Sequence, residues 1–329
     1  MRLAAGSGRN TITLYAALLL ANLAAWLWAL AAFHDHPVLL GAAALAYALG
    51  LRHAVDADHI AAIDNVTRKL MQQGQRPASV GLYFSLGHST VVVIGCALIA
   101  GLSGALRDRI AQFAPIGNLL GTGLSAAFLF AIALANLVTL ASVWRALRGR
   151  GEAAGPTGLA TRVLRPLIGL ISRPSQMLGL GFLFGLGFDT ATEIGLLAIS
   201  AAQGAHDASP WIIMIFPALF AAGMSLIDTL DGALMVGAYG WALAEPRRKL
   251  RYNFAVTLIS VLVALGVGAV EALGMATEKL PAFGGARATV LAISDHAGAV
   301  GLLIVASFAL CWALSAALNL ISGPNRTAG

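Results

Sequence analysis

The run Arg52-His-Ala-Val-Asp-Ala-Asp-His59 sets two imidazoles and two carboxylates, His53, Asp56, Asp58 and His59, within seven positions. Imidazole nitrogen and carboxylate oxygen together form the donor set that divalent first-row metals take. The run is not on a water-exposed loop. Residues 37–50 before it are apolar, and Ile60, Ala61, Ala62 and Ile63 follow it, so all four groups lie in a segment long enough to cross a membrane. An ionisable group at that depth costs about 2.5–3.5 kcal/mol on insertion scales and marks a substrate or proton pathway. Salt bridges that only lock a bundle are the competing account, and two His with two Asp are more than such locking needs.

Three other apolar segments carry matching groups. Ser85-Leu-Gly-His88-Ser89-Thr90 adds a third imidazole, with Gly87, Ser89 and Thr90 permitting close helix contact or extra oxygen donors. Alone, His88 would read as an interhelical hydrogen bond. Asp189 and Glu193, flanking Thr190, stand at i, i+4. Ser225, Asp228 and Asp231 follow one another at i, i+3. Carboxylates sharing a helix face must share a proton, pair with a cation or bind a metal. On a regular helix turning about 100° per residue, His53, Asp56 and His59 share one arc of about 120°, and Asp58 points elsewhere. Either Asp58 serves another partner, such as Arg52 or a neighbouring helix, or the helix opens so that both faces reach one site, as broken transporter helices do. Without sulfur, the donors suit Ni²⁺, Co²⁺, Zn²⁺ or Mn²⁺ better than Cu⁺; an all-carboxylate set would favour Mg²⁺ or Ca²⁺. Cys96 and Cys311 lie in different spans with no CxxC, and read as packing residues.

The elements that position these groups follow from composition. Of 329 residues, 58% are hydrophobic and 11% charged, with mean hydropathy +0.81; a soluble domain carries about 25% charged. At about 20 apolar residues per crossing, eight spans are expected: 12–33, 37–66, 78–101, 116–143, 177–200, 210–243, 253–273 and 296–321. The second and sixth are overlong and must tilt, break or run past the membrane. The first lacks a small-residue cleavage site and reads as a retained helix. With both termini cytoplasmic, 16 Lys and Arg fall inside and four outside, a strong positive-inside bias. The expected fold is therefore an all-α integral membrane bundle. Residues 1–143 form one four-helix half and 177–329 the other, joined by an Arg/Gly/Pro-rich cytoplasmic loop, 144–176, whose arginines would meet lipid headgroups. The net charge of +6 is a product of topology, and the clustered basic and aromatic face of a nucleic-acid binder is absent. Over half of the 15 acidic residues lie within spans: Asp56, Asp58, Asp64, Asp189, Glu193, Asp228, Asp231 and Glu271, the last read as interfacial.

The motif His53-x₄-Asp58-His59 within RHAVDADHI resembles the signature of the nickel/cobalt transporter (NiCoT) family of membrane permeases. GHSTVVV at 87–93, LGFDTATE at 186–193 and GMSLIDTLDG at 223–232 resemble that family's other motifs, in the same order and without departure. The resemblance implies uptake of Ni²⁺ and/or Co²⁺ across the cell membrane, with the second-span His53, Asp56, Asp58 and His59 central to metal binding; His88 of the third span joins them as an expected ligand on its chemistry. From their own placement, Arg52, Ser89, Thr90, Asp189, Thr190, Glu193, Ser225, Asp228 and Asp231 are expected along the pathway or behind the ligands, and small pocket differences, Val55 and Asn22 included, are expected to set metal preference. The expected partners are the ion and the lipid bilayer, with no nucleic acid, no cofactor and no ATPase subunit. Resistance-type exporters usually carry a His-rich loop, and 144–176 has no His. An intramembrane metalloprotease would need HExxH, which does not occur. An ATP-driven pump would need a GK[ST] loop, so this chain could only be the membrane subunit of such an importer.

Overall fold

The structure is a computed structural model that describes residues 6–101, 104–148, 171–187, 190, 210–243, 246–279, 285, 287–294, 296, 299–307, 310 and 313. Among these, every element is helical: α1 (Gly6–Phe33), α2 (Pro37–His53), α3 (Ala57–Gln72), α4 (Val80–Gly101), α5 (Gly104–Leu147), α6 (Met177–Gly185), α7 (Pro210–Ile213), α8 (Ile215–Leu243), α9 (Pro246–Lys279) and α10 (Arg287–Ser294). Five helices are long and apolar enough to cross a membrane, and α2 with α3, bent by 51°, makes a sixth. The other two expected spans, 177–200 and 296–321, fall partly outside the described residues.

The overlong second span is broken. Pro37 starts α2 at a position where a missing N–H is no loss. The helix stops at His53, and three short backbone bonds carry the chain round the bend: Ala54 N–H to Gly50 O, Val55 N–H to Arg52 O and Asp56 N–H to His53 O. Non-helical backbone at membrane depth is tolerated only where protein surrounds it, and here it does. A methyl on Gly301 would lie 1.6 Å from Val55 O, so the helical stretch 299–307 rests directly on the break. At its far end α3 closes with a Schellman motif: Gly74 takes φ +80°, its N–H reaches Met71 O, and Gln75 N–H reaches Leu70 O.

The half-helix α3 is the centre of the bundle. It packs against α4, α5, α8 and α9, and His59 to Arg68 are buried without interruption. This includes Arg68, which lies just beyond the expected span 37–66 and is one of the 16 basic residues expected inside, yet is held within the bundle. On the outside, Leu20, Leu23, Leu262, Leu302 and Leu303 are exposed, as faces turned to lipid tails should be. Helices from both halves interleave, for α8 packs on α1, α2, α3 and α4 and α6 packs on α4.

Candidate metal centre

Three buried imidazoles meet where α2 breaks. His53 ends α2, His59 lies in the first turn of α3, and His88 comes from the middle of α4. One ring nitrogen of each lies within 4.8 Å of the others, and this is the one such metal-capable group among the described residues. His53 Nε2 and His88 Nε2 share a hydrogen bond at 2.9 Å, and Thr190 Oγ1 lies 2.9 Å from the same His88 atom. Phe220 and Phe84 pack on the rings of His53 and His59, excluding other polar partners from those sides.

Carboxylates stand behind two of the rings. His59 donates from Nδ1 to Asp228, 3.3 Å from Oδ1 and 3.4 Å from Oδ2. His53 Nδ1 lies 3.3 Å from Asp56 Oδ2. Asp56 occupies the N-cap position of α3, where an Asp side chain normally accepts from the backbone of the first turn. It makes no such bond. Local capping has yielded to the imidazole. On His59 the proton held on Nδ1 by Asp228 leaves Nε2 with its lone pair facing inward, the arrangement metal-binding histidines favour, while Asp56 acts on His53 by proximity of charge.

The remaining sequence candidates divide. Asp58 is half-buried in the first turn of α3 and outside the three-ring group, and the break gives it an outlook different from that on a continuous helix. The break removes the continuous helix on which His53, Asp56 and His59 would share one arc; His53 and His59 still meet, and Asp56 stands beside His53. Ser89, Ser225 and Asp231 are buried near the site's helices, whereas Thr90 is exposed and bonds back to Leu86 O. Arg52 is exposed on the bundle surface. Asp189 and Glu193 lie outside the described residues. Asn22 accepts from Tyr47 OH and donates to Leu18 O, which ties α1 to α2. Glu271 accepts from Ser125 and so bridges α9 to α5, a packing role beyond an interfacial one.

Residues 39–318 match the NicO family, described as high-affinity nickel-transport protein. The chain belongs to this family. It is 52% identical over 315 residues to the high-affinity nickel transport protein of Cupriavidus necator, covering 92% of this chain and 90% of that protein. Against the hydrogenase nickel incorporation protein HupN of Bradyrhizobium diazoefficiens the identity is 49%, over 94% of this chain and 84% of that one. Against the cobalt transport protein NhlF of Rhodococcus rhodochrous it is 37%, over 83% and 81%. No solved structure matches the chain. As a NicO-family member it is a multi-pass membrane permease and not an enzyme.

Sequence reasoning missed a second polar network in this NicO permease, further along α3. Asp64 accepts from Tyr239 OH and Ser260 Oγ, both at 2.8 Å. The Arg68 guanidinium donates to Thr257 Oγ1 at 2.7 Å and Asn65 Oδ1 at 3.0 Å, and Asn136 Nδ2 donates to Asn65 as well. The available signal was Asp64 itself, with Thr257 and Ser260 at i, i+3 in an apolar span.

Proposed function

We propose that this permease takes Ni²⁺ and/or Co²⁺ into the cell as a secondary transporter, with the ion held by the Nε2 atoms of His53, His59 and His88. The convergence of three buried imidazoles carries the reading. Asp228 orients the His59 ring, Asp56 lies beside His53, both supply negative charge, the Thr190 hydroxyl yields His88 Nε2 to the ion, and Asp58 extends the acidic shell. An entering ion would replace the proton shared by His53 and His88. Names of relatives, nickel for most and cobalt for one, support this pair of metals. We read the chain as eight spans with both termini cytoplasmic in the cell membrane, the first half supplying the three ligands and the second half the Asp228 and Thr190 groups that meet them. The ion is cargo, and we expect no cofactor and no ATPase subunit. Asp189 and Glu193 complete the pathway in this reading.

A heterologous host expressing this chain alone should accumulate radiolabelled Ni²⁺ and Co²⁺, each competing with the other and both more strongly than Zn²⁺ or Mn²⁺. Accumulation that requires a co-expressed ATPase subunit would overturn the single-chain reading. Affinity should also fall as pH drops through about 6.5, since only neutral imidazole coordinates and protons compete for the same lone pair. An apparent KM unchanged from about pH 7.5 to 5.5 would mean that carboxylates alone hold the ion.

A further inference from the structure

A helical turn beyond the imidazoles, two further carboxylates approach each other from α3 and α8. These helices run parallel here, because His59 meets Asp228 and, further along both chains, Asp64 meets Tyr239. At 1.5 Å per residue, Asp231 is about 4.5 Å past Asp228, and Asp64 about 7.5 Å past His59. The two sit side by side. A methyl on Gly232, next to Asp231, would touch Ile63, next to Asp64, at 3.6 Å. Asp64 and Asp228 are the charged groups whose fields Asp231 feels.

Asp231 is the anomaly. It is only 8% exposed, yet neither carboxylate oxygen has a hydrogen-bond partner among the described residues. Buried polar groups are satisfied in the great majority of cases, and each exception calls for a cause. Asp64, by contrast, is held in place by Tyr239 and Ser260, each occupying one oxygen and leaving lone pairs. One turn further, the Arg68 guanidinium donates to Thr257 and Asn65 and also lends its positive field to Asp64, which keeps this station the weaker of the two.

We propose that Asp64 and Asp231 form a second divalent-cation station, made of oxygen donors, that receives the ion as it leaves the imidazole centre. This rests on the transport reading above. Three imidazoles bind a borderline ion tightly, and a bare divalent ion stepping from them into apolar surroundings would lose its stabilisation. Permeation needs sites that are multiple and weak enough to release. A carboxylate pair within a turn of the first site, one member preset by two hydroxyls and the other without competing partners, meets both needs. Only hard oxygen donors are offered, so the station discriminates among divalent ions less than the imidazoles do.

The test uses purified full-length protein in lipid nanodiscs, titrated with Co²⁺. The visible absorption band of Co²⁺ reports imidazole coordination, and equilibrium dialysis counts ions. The wild type should bind one ion that develops the band and a second, weaker ion that leaves it unchanged. Asp231→Asn and Asp64→Asn should keep the first and lose the second, and in cells should lower maximal uptake by about tenfold or more with KM little changed. Tyr239→Phe removes one donor to Asp64 without altering charge and should shift the second ion alone; it carries the test if Asp64→Asn does not accumulate. A single ion in the wild type, unchanged uptake in Asp231→Asn, or loss of the band in that variant would each overturn the station. A wild type that binds Co²⁺ without any imidazole band would overturn the transport reading with it.

Discussion

Cells that rely on this permease should lose nickel uptake at low metal concentration by about 100-fold or more when His53, His59 or His88 becomes Ala, because even indirect partners of metal ligands are worth 10–100-fold. The three rings are buried together, and among the described residues no fourth His, Cys, Asp or Glu joins their group. Nothing nearby can substitute for a missing nitrogen. Truncation also leaves partners stranded, since Asp228 loses its donor in His59→Ala and Thr190 loses its ring in His88→Ala. Asp228→Asn should be milder, about 10–100-fold, because an amide retains the shape while weakening the hold on His59. Western blots of membrane fractions, run beside radiolabel uptake, separate lost transport from lost protein. Near-normal uptake in any two of the three His variants would reduce the cluster to a structural role.

The second large effect should come from glycines that bear no chemistry. A methyl on Gly87 of α4 would lie 1.9 Å from Leu178 O of α6, and a methyl on Gly181 of α6 would lie 1.9 Å from Phe84 O of α4. The two backbones touch through reciprocal gaps, the close approach small residues permit between membrane helices. No side-chain rotation relieves a clash with backbone oxygen, so the helices must separate. That separation would draw His88, on α4, away from Thr190, which follows α6. Gly87→Ala and Gly181→Ala should therefore lower folded protein in detergent-solubilised membranes severely, as read by fluorescence-detected size exclusion. Gly41→Ala, where an added methyl meets nothing within 4 Å, should leave it unchanged. Equal recovery of all three variants would show that the contact between α4 and α6 is not a constraint.

Much of the site is written locally in the chain. His53, Asp56 and His59 lie within one motif, and the excess length of their span signals a break. The site of that break is not legible, because no Pro or Gly stands at 54–56 and the local rule, an Asp cap, is overridden by the demand of His53. His88 and Thr190 are visible as polar residues in apolar runs, but their meeting across 102 positions is a tertiary fact. The Asp64 and Arg68 networks are harder still. Apart from Asn65 their partners are Tyr, Ser and Thr, residues common enough in membrane helices to carry no mark, and these are 175 to 196 positions away. Charge counting also assigned Arg68 to an aqueous loop, since composition cannot distinguish a snorkelling arginine from one pinned by two neutral acceptors.

The central seat of α3 has a consequence for how the chain is made. Asp64 and Arg68 find their hydroxyl partners only after Tyr239, Thr257 and Ser260 have left the ribosome, roughly 10–40 s after α3 at about 5–20 residues per second. During that interval an acidic and a basic side chain on a half-helix too short to span have only each other and Asn65, all on α3, to offset the loss of water. The nascent chain must shelter them against the insertion machinery or at the membrane surface, and admit them to the interior as the second half arrives. A messenger cut short before codon 239 would thus yield a product that carries its own label of incompleteness, a polar half-helix open to membrane proteases.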